Sequence, residues 1–149
     1  MQWSTLVATA VGTILGVLAT LIADHVRWRH DRSERERDTL LTACTEYLTA
    51  LSTAMDAFSR AEASPGLVGK GHVALGEHGV YAAQQRLELV AQRALVDKAG
   101  RATLKVLDFH DVVVAEHDAN SHEYVDAWRA CHQARSALIE EMRNVMRRV

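Results

Sequence analysis

An all-α fold is predicted by three features of the sequence. Apolar residues recur at three- and four-residue spacing and do not alternate with polar ones. Alanine, leucine and valine supply most of a 48% hydrophobic content in which aromatics reach only 5%. A single proline leaves long stretches unbroken. The expected order is an N-terminal transmembrane helix over 1–23, a charged helical stalk over 24–39, and a small antiparallel bundle of three or four helices over 40–149. A bundle region of about 110 residues is enough for one core and too short for two domains.

The first element rests on the absence of charge from Trp3 to Ala23. About 20 apolar residues cross a bilayer core of roughly 30 Å. A cleaved signal peptide fits less well, because no basic side chain precedes Trp3 and Leu21 stands where a small residue is wanted. Arg27, Arg29, Arg32, Arg35 and Arg37 follow at once, and positive flanks favour the cytoplasmic side. The amino terminus is therefore expected outside a bacterial inner membrane and the rest of the chain in the cytoplasm. Trp3 and Trp28, with Arg27 and Arg29, are the expected interface anchors, the two indoles roughly 37 Å apart along a helix. Ala8, Gly12, Gly16 and Thr20 recur every fourth position, a stripe of small residues that lets two spans approach and self-associate.

The stalk is charged on all sides, and Asp31 with Arg35 forms a favourable i,i+4 pair. No glycine or proline occurs between Val17 and Ser64, so helix continues into the domain. There Leu41, Cys44, Leu48, Leu51, Met55 and Phe58 are spaced 3, 4, 3, 4, 3, the seam of a helix that packs lengthwise in a bundle or short coiled coil. Residues 64–79 hold Pro65 and five glycines and read as a long loop. Its stretch Gly66 to Gly71 is not a phosphate loop: the spacing is wrong, no Ser or Thr follows Lys70, and no strand precedes it.

Val80, Ala83, Leu87, Val90 and Ala94 form the next stripe, with Gly100 a natural stop and Lys98 in the last turn. A single helix from Val80 to His117, bent at Gly100, is the alternative. Val106 to Val114 has strand propensity, but a lone strand would lack a partner, so helix is expected. Asn120 and Glu123 are the expected capping pair of the last helix. That helix carries Val125, Trp128, Cys131, Leu138, Met142 and Val145 on one side, Trp128 being its largest expected core anchor. In a four-helix version Arg143, Arg147 and Arg148 return towards the bilayer.

Little in the chain points to chemistry. A net charge of −2 gives no general attraction to nucleic acid. Cys44 and Cys131 read as reduced core thiols, which suits a cytosolic domain. Among eight histidines, His110 and His117 lie two turns apart with Asp111, Glu116, Asp118 and His122 nearby, a set that invites a metal site. No H-E-x-x-H, E-x-x-H or C-x-x-C spacing supports it, so no metal, cofactor or catalytic residue is expected. Cys131 and His132 are adjacent on a helix and point apart.

The layout of a span at the first residues, the stalk Arg27 to Arg37, and alanine-rich helices ending Ala137 to Arg143 resembles small uncharacterised single-pass membrane proteins of actinobacteria. The resemblance is one of layout and composition and implies no activity. The functional expectation is a non-enzymatic, membrane-anchored interaction or scaffold protein, oligomeric, with a cytoplasmic protein partner. The alternatives are a histidine-based metal or haem sensor or enzyme, and a membrane effector of a mobile element.

Overall fold

The computed structural model describes residues 32, 34–61, 65–115 and 120–148. The proposed span and its anchors, from Trp3 through Ala8, Gly12, Gly16 and Thr20 to Arg27, Trp28 and Arg29, lie outside the described residues, as do Asp31, Glu116, His117 and Asp118. Among the described residues no helix is long and apolar enough to cross a membrane.

The chain divides into two compact units, Met1–Asp38 and Thr39–Val149. In the first, residues 34–38 are helical and exposed, and Arg32 Nε donates to Glu36 Oε1 at 2.9 Å. Such an exposed i,i+4 pair contributes only about 0.3–0.5 kcal/mol.

The second unit is all-α among its described residues, with no strand. Helix continues to residue 59, and its part from residue 39 is α1. A 3-10 turn, Pro65–Leu67, precedes the short α2, Gly71–Glu77. Then come α3 (Val80–Val90), α4 (Arg93–Val114) and α5 (His122–Arg148).

Side-chain contacts give the directions. Tyr47 meets Thr103 and Phe58 meets His110, so α1 and α4 run parallel. Arg86 meets Glu46 and His78 meets Phe58, so α3 runs antiparallel to α1. Phe109 meets Tyr124 and Lys98 meets Glu141, so α5 runs antiparallel to α4. The four long helices therefore alternate in direction, with α2 inserted in the first connection. The start of α1, the end of α3, the start of α4 and the end of α5 share one end of the bundle.

Among the described residues the core is one cluster. Leu51, Leu75, Leu87, Leu95 and Leu138 are fully buried, and Tyr47, Phe58, Val106, Phe109, Cys131, Met142 and Val145 join them. Of the expected α1 seam, Cys44, Leu51, Met55 and Phe58 are buried and Leu48 packs half-buried against the cluster. Leu41 does not belong to it, being 50% exposed. The seam starts instead at Leu40 and passes through Tyr47. The tyrosine ring fills the site beside α4 while its hydroxyl finds partners there, so the helix faces Tyr47 inward at the expense of its neighbour.

Trp128 also departs from expectation and is 45% exposed. The buried stripe of α5 runs through Cys131, Leu138, Met142 and Val145, with Tyr124, Ala127 and Ala134 beside it. At 3.6 residues per turn Trp128 lies about a quarter-turn off that axis. Its indole covers the His132 ring, with centroids 3.8 Å apart.

The glycine-rich segment is only partly a loop, since α2 occupies Gly71–Glu77 and buries Leu75. Gly69 and Gly79 turn the chain with φ of 76° and 72°, a backbone conformation that suits glycine. Gly100 does not stop a helix; it lies inside α4. The break falls at Ala91 and Gln92, both extended, with ψ of 154° and 152°. A straight helix over residues 80–114 would be about 52 Å long and would carry half its apolar stripe off the core. Reversal at 91–92 lets both halves face one core. It also leaves Val90 and Ala94 exposed and gives burial to Leu95, Ala99, Ala102 and Val106. α5 is capped by Ser121, whose Oγ accepts the Tyr124 N–H at 3.2 Å, one residue later than the Asn120–Glu123 box expected.

Candidate functional site

Among α2 to α5, the most extensive helix pairing is α4 with α5. Its two strongly apolar stripes face the core, and the outward side of the same pair forms a groove of about 680 Å³. On α4, Lys98, Arg101, Leu104, Lys105 and Asp108 line it; on α5, Ala130, Gln133, Ala134 and Ala137 do. The groove exists because alanines at i, i+4 and i+7 share a helix face and fill little space opposite longer side chains. Leu104 stands in it 59% exposed, an apolar side chain with no intramolecular reason to be there.

Three cations rim the groove against one lining acid. Lys105 Nζ pairs with Asp108 Oδ2 at 2.7 Å, and Lys98 Nζ lies 3.5 Å from Glu141 Oε2. Arg101 is exposed and forms no ion pair among the described residues. An apolar knob on a small-residue floor with a cationic rim has the chemistry to receive an amphipathic helix bearing acids along its edge. A second, shallower groove between α1 and α3 is lined by Thr45, Thr49, Thr53 and Ala82 and is crossed by the Arg86–Glu46 pair at 2.7 Å.

The buried polar groups serve the fold. Tyr47 Oη lies 2.8 Å from the Ala99 carbonyl and 2.7 Å from Thr103 Oγ1, and Thr103 Oγ1 donates to Gln84 Oε1 at 3.0 Å. Gln84 Nε2 in turn donates to Glu88 Oε1, which sets the orientation of the amide. Two hydroxyl protons then serve three contacts, so the Tyr47 proton is shared between Ala99 O and Thr103 Oγ1. Burial pushes the Tyr47 phenol from 10 up to about 12, the Thr103 bond opposing it. Burial likewise raises both thiols, Cys131 to about 11 with Arg135 opposing and Asp108 reinforcing. Neither cysteine is bridged, and neither is placed as a reactive thiolate.

His110 is 5% exposed and packs edge-on against Phe58, with ring centroids 4.7 Å apart. Its Nδ1 donates to Asp111 Oδ1 at 3.0 Å, and the Gly69 N–H donates to the same oxygen at 3.0 Å. Asp111 thus ties the glycine-rich connection to α4. Gly71 lies against the His110 ring so closely that a Cβ there would come within 2.8 Å of Nδ1. His122 lies 3.3 Å from Asp126, and His132 donates to the Trp128 carbonyl. Among the described residues no three His, Cys, Asp or Glu side chains gather as a metal site would require.

Sequence reasoning missed the groove, because Leu104, Ala130, Ala134 and Ala137 are ordinary helix residues whose juxtaposition needs the α4–α5 pairing. The apolar Leu104 between Arg101 and Lys105, off the Val106–Phe109 stripe, was the one available signal. No protein-family model matches the chain, and no curated protein or solved structure matches it.

Proposed function

We propose that this chain is a non-enzymatic, membrane-anchored interaction protein. Residues 3–23 form the anchor, and the bundle on the cytoplasmic side of a bacterial inner membrane recruits a protein partner. The observation that carries the recruiting role is the α4–α5 groove, with Leu104 exposed on an alanine floor between Arg101 and Lys105. The uncharged run from Trp3 to Ala23 and the arginines after it support the anchor and its direction. The partner is an amphipathic helix with acidic flanks.

A photo-crosslinking residue at Leu104 of the full-length protein, in native membranes, tests the role. A discrete adduct is expected that weakens when Arg101→Glu and Lys105→Glu reverse the rim. The same probe at exposed Val73 on α2 should give none. Equal labelling at both positions, or none at Leu104, rejects the groove as a binding site. Self-association belongs to the span: Gly12→Leu with Gly16→Leu should weaken crosslinking between copies, since bulky side chains hold the backbones apart. Unchanged crosslinking rejects the paired span.

A further inference from the structure

We propose a second contact, in which the end of the bundle where α1 begins lies directly on an anionic lipid leaflet. The proposal rests on the membrane-anchoring reading. The helix directions place three segments at that end: residues 39–42 of α1, residues 89–94 joining α3 to α4, and residues 143–148 closing α5. Together they contain Arg93, Arg143, Arg147 and Arg148 and no Asp or Glu. All four arginines are exposed. The same segments carry Leu89, 85% exposed, Val90, 40% exposed, and Leu41, 50% exposed.

Local helix energetics account for only part of this pattern. Arg147 and Arg148 sit in the last turn of α5, where the helix dipole favours cations. Arg93 is the first residue of α4, at the positive end of a helix whose first turn holds no acid and whose cap, Gln92, makes no side-chain capping bond. A cation is mildly disfavoured there, and an external anion would offset that cost. Leu89 gains nothing from the bundle either, at the end of a helix whose Leu87 is fully buried. Apolar side chains set among arginines are the composition that seats a helical domain in the headgroup region of an anionic bilayer. A second copy is a poor occupant, because the same end would bring four arginines against four.

The test places an environment-sensitive fluorophore on Leu89→Cys in the full-length protein. Cys44 and Cys131 are 4% and 2% exposed, so the label reports position 89. The protein is reconstituted in phosphatidylcholine vesicles with and without phosphatidylglycerol. A blue shift is expected only with the anionic lipid, and it should vanish at high salt. Arg93→Gln and Arg147→Gln should each lower the docked-to-undocked ratio about fivefold. Absence of the shift, an equal shift in neutral vesicles, or indifference to both substitutions overturns the proposal. A shift that instead follows protein concentration assigns the end to self-contact and also overturns it. Alkaline carbonate extraction reads the anchor separately. If the protein is extracted, the anchoring reading fails, while the lipid-dependent shift on added vesicles still reports on docking.

Discussion

Tyr47 shows how one side chain ties three helices. From α1 its hydroxyl reaches the Ala99 carbonyl and Thr103 on α4, and Thr103 passes the chain on to Gln84 of α3. Tyr47→Phe keeps the ring and removes the hydroxyl, leaving Thr103 with one partner fewer in a buried site. A loss of about 1–2 kcal/mol is expected, read as a lower urea midpoint at constant slope. No loss would mean that water already serves Thr103. Gly71 is the steric counterpart. Gly71→Ala would drive a Cβ against the buried His110 ring and to 3.1 Å from Leu107 Cδ2. Separation of α2 from α4 should cost roughly 1–3 kcal/mol in chemical denaturation. Neither role was legible in the sequence, where Gly71 is one of five glycines in a loop-like run and Tyr47 reads as less core-like than Leu48. What distinguishes them is the neighbouring helix, which local spacing does not name.

At the scale of elements, propensity and tertiary packing disagree at α3 and α4. Gly100 has the local character of a helix stop, yet α4 runs through it, and a Cβ at that position would meet nothing within 4 Å. Gly100→Ala should therefore stabilise the protein by about 0.5–1 kcal/mol through reduced freedom of the unfolded chain, visible as a higher thermal midpoint. A decrease would show that the half-buried site has less room than its geometry indicates. The true break at Ala91 and Gln92 contains no glycine or proline. It exists because the chain must reverse there to place Leu87 and Leu95 in one core. The segment Val106 to Val114 was the opposite case: helix was the right reading despite β-branched residues, since no second strand was available to pair with it.

For the molecule as a whole, three buried weak acids contribute a response at alkaline pH. Cys131, Cys44 and Tyr47 are all raised by burial, Cys131 from 9 to about 11 and Tyr47 from 10 to about 12. Above pH 9 the unfolded chain releases thiol protons that the native state retains, so the unfolded state binds fewer protons and stability falls with pH. The contribution of these groups is complete below pH 9 and is lost as pH rises through about 11 for Cys131 and about 12 for Tyr47. Urea midpoints measured from pH 8 to pH 11 should be flat at first and then decline, less steeply for Cys131→Ala. A flat profile across that interval would mean that the thiols ionise in the folded protein as readily as in the unfolded one. At the same scale, the alternating helix directions place four arginines and Leu89 at one end and the Leu104 groove along the side, two surfaces of different chemistry on one scaffold.

The helical class, most of the α1 seam from Leu51 to Phe58 and the buried stripe Cys131–Leu138–Met142–Val145 were determined by the sequence alone. Each depends on a repeat of apolar residues within one helix, and that repeat is a local property. The inward turn of Tyr47, the exposure of Leu41 and Trp128, the reversal at Ala91–Gln92 and the groove around Leu104 were decided only by tertiary structure. In each of these, neighbouring positions on a helix compete for one core. Which of them wins depends on the shape and hydrogen-bonding groups of a partner helix distant in the chain.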